Sequence, residues 1–149
     1  MFAYIQTDAA FHGFEAEADY RLWEDAGRKL TVEGAADYVR ADSDLGPPAR
    51  IPTWSVAGRL IYETPNASAR VELRRVGEQA RVAELELPTD GYTALNAGFS
   101  WSPWEDEGPT LFVEGRNLAD EEAREHASFL KDLAPLPGRN IRAGFTYAF

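Results

Sequence analysis

The sequence predicts an all-β protein, an antiparallel meander of seven or eight long strands of the kind that builds a transmembrane β-barrel. Three observations carry this. Apolar residues alternate with polar ones at a period of two along most of the chain. The alternating runs reach about ten residues, the length at which a tilted strand crosses a bilayer. The connections between runs alternate between short and long, as in outer-membrane barrels, whose short turns are periplasmic. The pattern allows two forms, part of a larger barrel or a small eight-stranded closed one.

The first long run shows the rule. Phe14, Ala16, Ala18, Tyr20 and Leu22 share one face; Gly13, Glu15, Glu17, Asp19 and Arg21 share the other. Leu30, Val32, Gly34, Ala36 and Tyr38 then oppose Thr31, Glu33, Ala35 and Asp37. Trp54, Val56, Gly58, Leu60 and Tyr62 oppose Thr53, Ser55, Ala57 and Arg59. Ala67, Ala69, Val71 and Leu73 oppose Ser68, Arg70, Glu72 and Arg74, and Leu95, Ala97, Phe99 and Trp101 oppose Ala94, Asn96, Gly98 and Ser100. Leu111 and Val113 oppose Glu114 and Arg116, with Phe112 anomalous on the polar side. Ile141, Ala143, Phe145, Tyr147 and Phe149 oppose Arg142, Gly144 and Thr146. Residues 2–7 read as a short extra strand, linked to the next near 8–11. Turns are expected at 23–28, 64–66 and 103–109, and long loops at 41–52, 77–90 and 118–139.

Composition narrows the role. The chain has 149 residues, a formal net charge of -10 and no Cys. Disulfides and thiolate metal sites are thereby excluded. The acidic balance argues against a nucleic-acid partner, which needs clustered Lys and Arg. Aromatics at 12% argue against an acidic disordered chain. No run approaches the ~20 apolar residues of a spanning helix, and neither a basic leader nor an apolar signal core opens the sequence.

The aromatics fall where two membrane interfaces would need them. Tyr20, Tyr62, Trp101 and Tyr147 cluster toward the short-turn end of the apolar face. Phe14, Tyr38 and Trp54 lie toward the long-loop end. Rings in two girdles suit the two interfaces of a bilayer. The competing account is a soluble lipocalin-like barrel with Phe14, Tyr62, Trp101 and Tyr147 inside it.

Three segments together resemble TonB-dependent outer-membrane receptors. Gly13-Phe14-Glu15 resembles the family's Gly-x-Glu strand start. Arg116-Asn117-Leu118-Ala119-Asp120-Glu121-Glu122 resembles its Asn-Leu-x-Asp motif after the penultimate strand. Gly138-Arg139-Asn140 through Tyr147-Ala148-Phe149 resembles its Pro-Gly-Arg loop and final strand. The stretch from His126 to Pro137 resembles a subset linked to metal uptake, notably of zinc. The resemblance covers residues 1–149 and implies the C-terminal part of such a barrel, without signal peptide, TonB box or plug domain. It also implies that Phe145, Tyr147 and Phe149 form the signal read by the barrel-insertion machinery. A full receptor barrel of about 22 strands exceeds this length, so energy-coupled import is not expected of this stretch alone.

Enzyme chemistry is not expected. The two His residues, His12 and His126, are far apart, and no nucleophile elbow or paired-His motif occurs. Glu15, Glu17 and Asp19 share a strand face and read as a hydrated lumen wall paired with Arg59, Arg70 or Arg74. The metal candidates are His126, Glu125 and Glu122 in the long loop, an imidazole with carboxylates that suits Zn²⁺; the competing account is a solvated acidic loop. No cofactor is expected. The expected partners are outer-membrane lipid, the barrel-assembly machinery, a metal or siderophore ligand, and the remaining strands of a parent receptor. The expected location is the outer membrane of a Gram-negative cell, in the role of a metal or metal-chelate receptor. The alternatives are a self-standing small outer-membrane barrel and the soluble lipocalin-like binder.

Overall fold

The computed structural model describes residues 6–104 and 108–148. The expected strand positions 2–5, the turn residues 105–107 and the terminal Phe149 lie outside the described residues. Seven strands form: β1 (Ala9–Asp25), β2 (Arg28–Ser43), β3 (Ser55–Thr64), β4 (Ala67–Val76), β5 (Tyr92–Trp101), β6 (Gly108–Arg116) and β7 (Asn140–Ala148). They make one sheet in sequence order, each antiparallel to the next. Among the described residues, β1 pairs only with β2 and β7 only with β6, so the sheet is open there.

The first hairpin is longer than its periodicity suggests. The turn expected over 23–28 shrinks to Ala26 and Gly27, both with positive φ (46° and 77°), the backbone of a two-residue hairpin turn. Residues 9–11 of the link expected near 8–11 are absorbed into β1, while Gln6, Thr7 and Asp8 precede it outside any strand. A bulge at Leu22 explains the difference at the turn end. Arg21 pairs with Thr31 and Trp23 with Leu30, leaving Leu22 between them. The extra residue resets the alternation. Trp23, read from sequence as turn, takes the position expected of Leu22, and Trp54 precedes β3 rather than opening it.

Rows of paired residues run across the sheet with each face kept apart. Ala18, Gly34 and Gly58 share a row, as do Ala69, Phe99, Val113 and Ala143. The glycine of the Gly-x-Glu segment has a steric reason to be there: a Cβ on Gly13 would collide with the Tyr38 carbonyl oxygen across the hairpin. Phe112, anomalous by periodicity, lays its ring over Gly144, where a Cβ would stand 2.8 Å from the ring. An aromatic covering a cross-strand glycine is a recognised device of curved sheets.

The apolar face is not covered. Phe14 is 60% exposed, Tyr20 68% and Phe145 70%. The only buried apolar cluster of the described residues is Val76, Tyr92 and Ala123 at the loop end, with Ala94 against it. The accessible surface is 10911 Å², whereas a globular chain of 16.6 kDa exposes about 7,600 Å². An apolar surface of this extent calls for a non-aqueous environment or a partner. Leu60→Arg, near the middle of β3, is therefore expected to destabilise the sheet in micelles or bilayers by about 2–4 kcal/mol. Urea titration followed by tryptophan fluorescence measures this; an unchanged midpoint would contradict a lipid-facing apolar side.

Candidate functional site

The polar face carries a ladder of charges set by register. Glu33 faces Arg59 across β2–β3, and Arg59 faces Glu72 across β3–β4. The Arg59 guanidinium reaches Glu33 Oε2 at 2.6 Å and Glu72 Oε2 at 2.5 Å, while Asn96 Nδ2 donates to Glu72 Oε1 at 2.8 Å. A second group joins Arg70 and Arg142 to opposite oxygens of Glu114, at 2.9 and 2.6 Å. Ser55 Oγ donates to Asp37 Oδ1 at 3.0 Å and accepts from Arg74 at 3.4 Å. Arginine forks hold carboxylates in fixed directions, which suits a wall with positioned charges. Two clefts, of about 580 and 350 Å³, open on this face, and Arg59 and Glu72 line both. The soluble lipocalin-like account places the aromatic rings inside such a cavity; the structure places charges there and the rings on the uncovered face.

The β1 carboxylates behave differently from expectation. Glu15, Glu17 and Asp19 form no ion pair among the described residues; Arg59 and Arg70 turn to other acids and Arg74 to Ser55. The physical reason is register. Asp19 stands opposite Glu33 and Glu15 opposite Asp37, so the nearest charge across the ladder is of like sign.

The three long loops gather above this wall. The Asn-Leu-x-Asp segment and the Pro-Gly-Arg segment prove to be two halves of one clasp. Asn117, at φ 47°, accepts Glu121 N–H on Oδ1 at 3.0 Å and donates from Nδ2 to the Glu121 carbonyl at 2.8 Å. Asp120 Oδ1 accepts the Arg139 N–H at 2.8 Å, and Oδ2 receives the Arg139 guanidinium at 3.2 Å. Those hydrogen bonds, backbone first, hold the Asp120 carboxyl below its ordinary pKa. The 22 residues between Asn117 and Asn140 thus close on themselves at their base.

A buried polar cluster then ties that loop to the others. His126 is 3% exposed; its Nδ1 lies 2.9 Å from Thr89 Oγ1 and its Nε2 3.4 Å from Glu86 Oε1. Lys131 Nζ donates to Glu86 Oε1 at 3.0 Å and to the Leu87 carbonyl at 2.6 Å. Glu86 also accepts the N–H groups of Arg50 and Ala83, and the Arg50 guanidinium lies 3.6 Å above the Phe129 ring. Arg81 donates to the Ala41 carbonyl at 2.6 Å and pairs with Asp42. Burial, then the Lys131 charge, lowers the His126 pKa. Burial alone would raise the Glu86 carboxyl, but the hydrogen bonds from Ala83, Lys131 and Arg50 outweigh it and hold it low.

The metal candidates are not assembled into one centre. His126 is engaged as above, and Glu122 accepts from Arg124 at 2.9 Å. Glu125 and His126 both border a cavity of about 50 Å³, together with Asp37 and Arg74. His12 lies in β1 opposite Arg40. Among the described residues, no three His, Cys, Asp or Glu side chains form a group that could hold a metal ion. Sequence reading missed Thr89, Glu86 and Lys131, whose partners lie 37 to 45 residues away in loops with no periodicity to set their register.

No family model matches the chain, and no curated protein matches it. Among solved structures, it is similar to a protein titled Copper transporter OprC, with a TM-score of 0.81, 20% sequence identity, and coverage of 96% of this chain and 24% of that one. The likeness is one of fold. This chain spans about a quarter of the transporter's length.

Two outcomes are expected of the loop cluster. Asn117→Ala leaves the Glu121 backbone groups without partners, a loss of about 1–3 kcal/mol, and limited proteolysis of loop 117–139 should speed accordingly. A folded-state imidazole pKa below its ordinary value means that the stabilisation from His126 is complete above about pH 6.5 and lost as pH falls through the lowered value. Protection factors of the amides in the same loop, corrected for the intrinsic slowing of exchange in acid, should therefore fall on acidification from pH 7 to 5, and His126→Gln should flatten that fall. An identical acid response in the variant would assign it elsewhere.

Proposed function

We propose that this chain forms part of the wall of an outer-membrane receptor barrel, of the TonB-dependent kind, that takes up a metal ion or metal chelate without catalysis. The observation that carries the reading is the pairing of an uncovered apolar face with a charged, clefted one. A membrane barrel needs that arrangement and a soluble sheet does not tolerate it. Trp23 joins Tyr20, Tyr62, Trp101 and Tyr147 in the girdle at the short-turn end, with Phe14, Tyr38 and Trp54 at the loop end. On this reading loops 44–54, 77–91 and 117–139 face outside, and the last strand presents Phe145 and Tyr147 to lipid and to the insertion machinery. The fold likeness to a copper transporter supports metal as the cargo class. The structural sense now given to the Asn-Leu-x-Asp and Pro-Gly-Arg segments supports the receptor-barrel part of the reading. The closed eight-stranded alternative turns on residues 2–7, of which 2–5 lie outside the described residues.

Location and cargo are tested separately. In Gram-negative cells the full gene product that carries this wall segment should be held in the outer-membrane fraction, resistant to extraction by high salt and alkali. Monodisperse protein in the soluble periplasm would overturn the membrane assignment. Deleting its gene should lower cell-associated copper or zinc during growth on limiting metal, read by mass spectrometry of whole cells. Unchanged content of every transition metal would remove metal as the cargo.

A further inference from the structure

We propose that the β1 edge left without a ladder among the described residues is a docking edge for one further antiparallel strand, and that this strand carries Arg or Lys at the positions facing the polar side, against Glu15, Glu17 and Asp19. The inference rests on the reading of the chain as barrel wall and adds the chemistry of the neighbour. β1 is the longest strand of the sheet at 17 residues, and every residue of it is exposed. One row of its backbone N–H and C=O groups is satisfied by β2; the other has no ladder among the described residues. In hydrocarbon such a row must be paired.

Register supplies the charge of the missing neighbour. On the polar face Glu33 and Glu72 meet Arg59, Glu114 meets Arg142, and Asp37 meets Ser55. Glu15, Glu17 and Asp19 of β1 meet no base on β2. On its β2 side, Asp19 stands opposite Glu33 and Glu15 opposite Asp37. Those β2 acids are already committed, Glu33 to Arg59 and Asp37 to Ser55. Like charges directly opposite destabilise a ladder, and opposite charges stabilise it. The compensating cations are therefore placed on the open side. The segment ahead of β1 reads Met1-Phe2-Ala3-Tyr4-Ile5-Gln6-Thr7-Asp8 and has no basic side chain.

Topology excludes a second copy as the occupant. Seven strands alternate in direction, so β1 and β7 run the same way. Docking β7 of one copy on β1 of another would give a parallel pair, unlike every other pair of the sheet. Docking β1 on β1 antiparallel would point the loops of the two copies to opposite sides of a membrane and set acid against acid. Closure with antiparallel pairing throughout needs an odd number of added strands, the one beside β1 running opposite to it.

The test uses the full chain folded in detergent micelles, with strand content checked by circular dichroism. Ala18→Cys puts a single thiol on the apolar side of the β1 edge of a protein that otherwise has no Cys. Two synthetic strands of about ten residues are offered under oxidising conditions. They share one outward Cys and an identical apolar face and differ only in carrying Arg or Glu at the alternate polar positions. The Arg peptide should be trapped as a mixed disulfide roughly tenfold more than the Glu peptide at low salt, and Glu17→Lys/Asp19→Lys should reverse the preference. Equal trapping of both peptides by a sheet of native strand content would overturn the proposal. Predominant disulfide dimers of the chain would overturn it too, by assigning the edge to a second copy. A chain found outside the outer membrane fails the functional reading whatever the peptides do, so the two failures are distinguishable.

Discussion

One constraint organises this sheet: its apolar face has nothing to bury against among the described residues. A sheet of seven strands with no second layer gains little from the hydrophobic effect in water, because one face stays wet and apolar. Placed against hydrocarbon, the same face becomes neutral or favourable. The backbone ladder then contributes most to holding the sheet together, since every polar group left unpaired there is costly. Strand length, the two-residue turns after β1 and β3 and the rings at the strand ends all match, on the proposed reading, the thickness and interfaces of a bilayer.

The same constraint moves the charges to the other side. Arg59, held between Glu33 and Glu72, and Glu114, held between Arg70 and Arg142, span several strands each. A slip of one residue anywhere would send these side chains to the apolar face, so the ladder fixes register as well as lining a wall. The loops are organised by a different principle. Beside the small apolar cluster of Val76, Tyr92 and Ala123 they bury a polar one, with Lys131, Glu86 and His126 in mutual contact, so directional hydrogen bonds help to specify loop position.

Much of the architecture was legible because period two is a local property. The face assignments of Val32, Leu60, Val71, Phe99 and Ala143 needed no knowledge of any neighbour, and neither did the positions of the three long loops. The misreadings have local causes as well. A bulge cannot be seen in an alternating pattern that resumes one residue later, which is why Leu22 and Trp23 exchanged roles. The loop cluster was not legible, because Thr89 and His126 meet only through tertiary placement. The partners of Glu15, Glu17 and Asp19 were misjudged because composition supplies enough arginines, while register alone decides which acids they reach. The motif segments occupied the middle ground: Asn117, Asp120 and Arg139 stood out in sequence, yet their shared task as the two halves of a clasp emerged only from geometry.

The bulge at Leu22 bears on how this strand tolerates change in length. Losing Leu22 would bring Arg21 and Trp23 into direct succession, one toward the polar side and one toward the apolar side, with both halves of the strand already in phase. Losing any residue from Gly13 to Tyr20 would instead turn the shorter half of β1 inside out, setting carboxylates on the apolar face and rings on the charged wall. Within β1, a change in length that keeps both halves in phase is thus accommodated at one step of the ladder near its turn end, where the chain already carries one residue more than the pairing requires.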